Sequence, residues 1–331
     1  MRRCLVFALL LGPLLASALP PTGAHAGGFI DAAGRVVALP DRIARVLPAG
    51  PPAAVLLAAL APDLMLGWPM PLPAAARAAL PADLAALPQV PRLTGHDDVA
   101  AAVRALRPDL IVDYGTVSAA YAALAGRTQA ETGVATVLLD GRLEATPLVL
   151  RALGAALHRA ARGEELARFA EAVLALPVRV PRLRVLYARG ADGLLVAAPG
   201  TGATEIFDRL GWQVVAPPGV GWFRRATAEE VRALDPDIVV FADPAARAAV
   251  VASPAWRMLR AVREGHALVA PSVPFGWVED PPSLNRLLGL GWLGGGDAVA
   301  LAGRFDAVVY RHPLSAAGQA ALADAMRPIA P

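Results

Sequence analysis

The sequence predicts an α/β protein of two similar lobes with a ligand cleft between them, and three observations predict it. The first is a phrase that occurs twice: Leu106-Arg107-Pro108-Asp109-Leu110-Ile111-Val112-Asp113 is answered by Leu234-Asp235-Pro236-Asp237-Ile238-Val239-Val240-Phe241. In each copy a helix-like stretch is cut off by proline, which cannot continue a helix and biases its predecessor away from the α region. The apolar, β-branched run that follows reads as a buried strand. The second observation is the length of 331 residues, enough for two ordinary domains. The third is the stretch from Thr146 to Leu176, helix-forming throughout, apolar at three- and four-residue spacing and stopped by Pro177. Connections in compact domains have a median of about 4–6 residues. A segment this long therefore reads as a single long helix over 146–176, joining an N-terminal lobe (27–145) to a C-terminal lobe (177–331). An ordinary core helix is the other reading.

The remaining elements follow in order. Phe29 to Val37 forms a hairpin turning at Ala33-Gly34, Arg45-Val46-Leu47 a buried strand, and Ala53 to Ala61 a helix. Leu64 to Trp68 reads as a strand, and the proline-rich stretch from Pro69 to Pro91 as loop with short helical pieces. After the first repeated unit come a helix over Ala119 to Thr132 and a strand over Ala135 to Leu139. The second lobe opens with the strand Arg184 to Ala188, then a helix from Glu205, a strand at Gln213 to Val215, and the second repeated unit. A strand at Ala267 to Ala270 and helices over Leu284 to Trp292 and Ala316 to Met326 complete it.

The first residues read as a leader. Met1-Arg2-Arg3 is followed by an apolar run from Leu5 to Leu19, roughly fifteen residues against the ~20 of a spanning helix. Ala24-His25-Ala26 then presents small residues where a secretory peptidase cuts. We read 1–26 as a cleaved signal peptide, against an uncleaved anchor, and expect a soluble extracytoplasmic protein, most simply periplasmic. Cys4, the only cysteine, lies in the leader, so the mature chain has no thiol. The net charge of +3 includes Arg2 and Arg3, and no basic run is interleaved with aromatics, so a nucleic-acid partner is not expected. Lysine is absent. That excludes a P-loop, a pyridoxal Schiff base and a kinase-type site.

Ligands of open α/β sheets sit outside the carboxyl ends of the strands. The residues that follow the predicted strands include Pro48-Ala49-Gly50, Trp68, Tyr114, Asp140-Gly141-Arg142, Tyr187, Arg189, Trp222, Arg224, Asp243, Phe275 and Trp277. From these we take Trp68, Tyr114, Tyr187, Arg189, Trp222, Arg224, Phe275 and Trp277 as candidate ligand-binding residues. Rings cover planar surface, and guanidinium forks pair with carboxylate or phosphate oxygens. The set would suit a bulky, anionic, partly aromatic ligand, while packing or surface ion pairing is the alternative for each residue. Ala198-Pro199-Gly200-Thr201-Gly202-Ala203-Thr204-Glu205 reads as a turn leading into a helix capped by Thr204, not as a dinucleotide loop. His96, His158, His266 and His312 have no metal-ligand spacing, and no G-x-S-x-G elbow marks a serine hydrolase. No protein-held metal or cofactor is expected.

The whole mature chain resembles the periplasmic substrate-binding proteins of ABC importers for iron–siderophore complexes, haem and cobalamin. The resemblance rests on Asp31-Ala32-Ala33-Gly34-Arg35-Val36-Val37 with Ala44-Arg45-Val46, both Pro-Asp units, and Ala261-Val262-Arg263-Glu264-Gly265. The stretch from Phe275-Gly276-Trp277 through Pro281-Pro282-Ser283-Leu284-Asn285-Arg286-Leu287-Leu288-Gly289-Leu290 is similar to the branch of iron-complex binders, near proteins that take oxyanions such as molybdate. The resemblance implies two Rossmann-like lobes joined by one helix, modest motion on binding, and a monomer that captures its cargo and delivers it to an inner-membrane permease and its ATPase. It implies no enzyme. The implied cargo is a metal chelate, most simply a ferric siderophore; molybdate or tungstate, cobalamin and haem are alternatives, and an exported α/β enzyme is a remote one. It also implies a docking glutamate on each lobe. Glu205 fits the second; the first falls near Ala101, leaving Asp97 or Asp98 as the nearest carboxylates.

Overall fold

The computed structural model describes residues 24–25, 28–94, 99–219 and 221–329. The leader assigned to 1–26 falls almost wholly outside these residues. The chain forms two sheet-containing lobes of mixed α/β structure. In the first, β1 (Val46–Pro48), β2 (Leu110–Gly115) and β3 (Ala135–Asp140) form a parallel sheet in that order. α1 (Pro51–Leu60), α2 (Ala100–Leu106) and α3 (Ala119–Thr132) accompany it. The predicted strand at Leu64 to Trp68 is reduced to isolated bridges, Val46 with Met65 and Trp68 with Gln89. In the second lobe β4 (Arg184–Arg189), β7 (Ile238–Phe241) and β8 (Ala267–Val269) are parallel neighbours. β5 (Leu195–Ala197) and β6 (Phe223–Arg225) extend that sheet antiparallel.

The repeated phrase forms the same clamp in both lobes. In the first, Arg107 ends α2 in the left-handed region (φ 46°) and Pro108 blocks any continuation. The Asp109 carboxylate accepts the backbone N–H groups of Ala44 (2.7 Å) and Arg45 (2.8 Å). The Arg45 guanidinium donates back to the carbonyls of Leu106 (2.8 Å) and Arg107 (3.1 Å). In the second lobe Asp235 ends the helix Ala228–Leu234 at φ 40°. Asp237 accepts Arg184 N–H (2.8 Å), and the Arg184 guanidinium donates to Leu234 (2.7 Å) and Asp235 (2.9 Å). Each clamp fastens a helix end to the starts of two adjacent parallel strands.

The single long helix over 146–176 is corrected to a helical hairpin of α4 (Thr146–Ala156) and α5 (Ala160–Leu174). His158 turns the chain at φ 55°, and Arg159 N–H closes on Gly154 O at 2.7 Å. Gly154 and Gly163, which look like tolerated interruptions in the sequence, are the contact between the two helices. A Cβ on Gly163 would lie 2.5 Å from Leu150 O, and one on Gly154 3.0 Å from the Gly163 Cα. Arg151 crosses the hairpin to Glu164 (2.6 Å) and Glu171 (2.5 Å). The connection between lobes falls to α5, whose buried Arg162 donates to Ala59 O (2.9 Å) and Val309 O (2.7 Å). One apolar core cluster takes residues from both lobes.

The C-terminal lobe ends in α6 (Arg286–Leu293), α7 (Ala298–Phe305), a π-helical turn over Asp306–Tyr310, and α8 (Ala316–Ala325). Ser283, just before the predicted helix over Leu284 to Trp292, donates to Pro52 O at the start of α1 (2.9 Å). Among the described residues no helix is long and apolar enough to cross a membrane.

Candidate functional site

A cavity of about 880 Å³ lies between the lobes. It opens beyond the carboxyl ends of β2 and β3, where parallel α/β sheets place their ligands. Gly115-Thr116-Val117, Asp140-Gly141-Arg142 and the Leu148 face of α4 form one side; Gly200-Thr201-Gly202, Glu205, Trp222 and Arg286 form the other. Its volume falls within the roughly 300–1,000 Å³ of small-molecule sites.

Glycine sets two of its surfaces. A Cβ on Gly141 would stand 2.6 Å from the Gly115 Cα, so the two loops leaving β2 and β3 meet backbone to backbone. A Cβ on Gly202 would lie 2.9 Å from the Trp222 ring. The bare glycine lets the indole lie on the 200–202 loop while 40% of the residue stays exposed. Val117 (38% exposed) and Leu148 (43%) add apolar surface from the other lobe. Large apolar side chains left in water inside a concave site mark a surface awaiting an apolar partner.

Arg286 joins the two sides. It is 1% exposed, bonds Glu205 at 2.5 Å and donates to the Gly141 carbonyl across the cleft. The other Glu205 oxygen accepts Leu143 N–H at 2.7 Å. Arg142 pairs with Asp140 at 2.6 Å, and Glu144 with Arg209 at 3.1 Å. Burial, then the neighbouring Glu205 charge, raises the Asp208 carboxyl. Both arginines lining the cavity among the described residues are thus already paired with carboxylates, and the lining is richer in acids than in bases.

The structure brings only one of the eight candidate ligand residues, Trp222, to this cavity. The other seven lie elsewhere in the structure. Trp68 is core, its Nε1 donating to Leu84 O (2.9 Å) and its ring 5.5 Å from Phe275. Tyr114 is buried, sharing a hydrogen bond with the Thr146 hydroxyl (3.3 Å), and burial pushes its phenol up. Tyr187 is buried against Phe207 and donates to Glu279 (3.2 Å). Arg189 lies over the Phe223 ring, 5.1 Å from its centre, and reaches Glu279 (3.4 Å) and Asp280 (3.2 Å). Arg224 pairs with Glu230 (2.6 Å). Phe275 and Trp277 are buried and line a different cavity.

Glu205, expected at a docking surface, is held by Arg286 and Leu143. To meet a permease arginine, as the resemblance implies, that contact has to open. Asp98 lies outside the described residues. Thr204 does not cap its helix; its hydroxyl donates within the turn, to Ala198 O (3.3 Å) and Thr201 O (3.1 Å).

Sequence reasoning missed Val117, Leu148 and Arg286. Nothing local marks the first two. A charged residue inside the apolar run from Leu284 to Leu293 is the one available signal for Arg286, because charges are buried only when paired. Besides Asp208, burial raises three carboxyls: Asp113 to about 6, Glu279 to about 7 and Asp306 to about 7. None of the three lines the interlobe cavity.

A profile of the periplasmic binding protein family matches residues 100–274. No curated protein matches the chain. The fold is similar to that of an ABC transporter solute binding protein from Sulfurospirillum deleyianum, with 20% identity, 89% of this chain and 98% of that one covered, and a TM-score of 0.80. It is also similar to MolA, a molybdate periplasmic binding protein of Haemophilus influenzae (16% identity, 86% and 98% covered, TM-score 0.68). A periplasmic haem binding protein from Pseudomonas aeruginosa is 26% identical over 83% of this chain and 96% of its own, with a TM-score of 0.54.

Proposed function

This chain belongs to the periplasmic binding protein family, and we propose that it is the solute-binding component of an ABC transporter whose cargo is a bulky metal chelate, most simply a ferric one with an apolar organic surface. Proteins of this family work with an ABC permease and its ATPase. The observation that carries the cargo reading is the cleft itself: about 880 Å³, with Trp222, Val117 and Leu148 exposed within it. An indole face and two aliphatic side chains cover the ligand shell of a chelate through apolar and ring contact.

An isolated oxyanion such as molybdate is served less well. It calls for convergent unpaired cations or N–H donors, whereas Arg142 and Arg286 already face carboxylates. The lining therefore favours a neutral or weakly charged complex over the strongly anionic ligand that the sequence alone would suit. Capture is an equilibrium between two lobes that share one core, so closure involves modest motion. The protein then acts as a carrier and not an enzyme.

The test is a titration panel of ferric hydroxamate and catecholate siderophores, haem, cobalamin and molybdate, followed by intrinsic tryptophan fluorescence and calorimetry. A chelate is expected to bind at one site per chain, and Trp222→Ala to weaken it at least tenfold. Failure of every metal complex to bind, or tight molybdate binding unaffected by Trp222→Ala, would overturn the reading.

A further inference from the structure

A second cavity, of about 810 Å³, shares no lining residue with the interlobe cleft. Its walls are largely apolar, with Phe275, Phe305, Leu314 and Leu322 from the C-terminal lobe and Ala75 and Ala78 from a short helix of the other. α8 lies along it and buries none of its own residues. The π-helical turn Asp306–Tyr310 contributes its first and last residues to the lining. Such turns are rare and recur at functional sites; this one sets Asp306 and Tyr310 on neighbouring positions of the same wall.

Among the described residues these side chains have no hydrogen-bonding or ion-pair partner. Tyr310 is 5% exposed, and its hydroxyl has no hydrogen-bond partner. The Oδ1 of Asn285, a residue 2% exposed and on the same lining, has none either. Burial alone raises the Asp306 carboxyl to about 7, and no cation pairs with it among the described residues. The Tyr310 phenol is pushed up by burial first and then by Asp306, which places the two groups within electrostatic reach. A buried polar group without a partner is destabilising by about 1–3 kcal/mol, so native proteins retain few of them. Of the basic residues on the lining, Arg247 donates to the carbonyls of Ala325 and Arg327, Arg327 pairs with Asp324, and His312 is exposed.

We propose that this cavity is a second ligand site, separate from the cleft, for a hydrophobic ammonium compound: an alkyl or aryl body among the apolar walls, with its N–H donors on Asp306 and Tyr310. An ammonium group carries three donors and no acceptor, the complement of a carboxylate beside a phenolic oxygen. An anion of the same shape would face the Asp306 charge with no cation at depth. The inference does not depend on the cargo of the interlobe cleft.

The test is calorimetric titration of the purified protein with n-hexylammonium chloride, against 1-hexanol and sodium hexanoate. Hexylammonium is expected to saturate one site per chain, hexanol to bind at least tenfold more weakly, and hexanoate to show no saturable binding. Asp306→Asn should weaken hexylammonium at least tenfold and Tyr310→Phe several-fold. Trp222→Ala, in the cleft, should leave it unchanged. Ala78→Trp, from an exposed position on the lining, should block the site without touching the core, and it carries the test if Asp306→Asn fails to fold. No saturable hexylammonium binding, affinity unchanged by both Asp306→Asn and Ala78→Trp, or loss of binding in Trp222→Ala would each overturn the proposal.

Discussion

The two lobes are built alike where their strands begin and differently where they end. At the starts, Asp109 with Arg45 and Asp237 with Arg184 make the same clamp: an aspartate accepts the arginine's backbone N–H, and the guanidinium donates back to the helix-end carbonyls. At the ends, β2 runs into Gly115 and the open cleft, whereas β4 ends at Arg189 among Phe223, Glu279 and Asp280. Similar sequence thus marks how each lobe is held together, and dissimilar sequence marks where it meets a ligand. The first tells of architecture and the second of function.

The largest expected effect breaks the contact where the two strand-end regions meet. Arg286→Met removes a buried guanidinium that holds Glu205 and the Gly141 carbonyl together. Removing one partner of a buried pair typically destabilises by about 3–5 kcal/mol. Urea unfolding should show a loss near the lower figure, because Glu205 keeps partial access to water. Glu205→Gln in the same chain should recover much of it, since no charge is then left unpaired. A single variant as stable as the parent would mean that the lobes do not depend on this contact.

The second prediction separates the strand ends from the strand starts by pH. Glu279 is raised to about 7, by burial above all. The folded state therefore holds its proton to higher pH than the unfolded chain, whose glutamates titrate near 4.3. Stability is lost as pH rises from that value through about 7 and stays lost above it. Glu279→Gln has no such term. Across the window the variant should gain roughly 3 kcal/mol relative to the parent, from the 1.36 kcal/mol carried by each pKa unit. Parallel stability profiles for the two proteins between pH 4 and 8 would show that Glu279 ionises normally.

The difference between the two kinds of region also decides what could be read from sequence. The clamps were legible because Pro108, Asp109, Pro236 and Asp237 act within a few residues of the helix ends they stop. α1, α3 and the repeated strands were legible for the same reason. The helical hairpin was not: Gly154 and Gly163 look like ordinary weak helix positions until the chain folds back and sets them against each other. The cleft was least legible. Aromatic residues near predicted strand ends look alike in the sequence, yet Trp68, Tyr114 and Tyr187 turn into the core while Trp222 stays exposed. Whether a ring faces core or cleft depends on side-chain direction and on distant packing, and neither is encoded in strand order. Arginine was misread likewise, because Arg189 and Arg224 find carboxylates on their own lobe.

The smallest effect tests how equal the two clamps are. Asp109 serves Ala44 and Arg45 from an exposed position. Asp237 serves Arg184 and also pairs with Arg260 at 2.9 Å, and the Arg184 N–H, then the Arg260 guanidinium, hold its carboxyl below the usual range. With about 1 kcal/mol for each well-made hydrogen bond, Asp109→Ala, which loses two N–H partners, and Asp237→Ala, which loses one N–H partner and the Arg260 pair, should each cost about 2 kcal/mol. The acid limb gives a second reading. A carboxyl depressed in the folded state contributes stability above its unfolded pKa and loses it as pH falls through the folded value. The cost of Asp237→Ala should therefore shrink as pH drops below about 3.9. A cost for Asp237→Ala near half that of Asp109→Ala at neutral pH, with no acid dependence, would show that Arg260 adds nothing and that the second clamp is the weaker of the two.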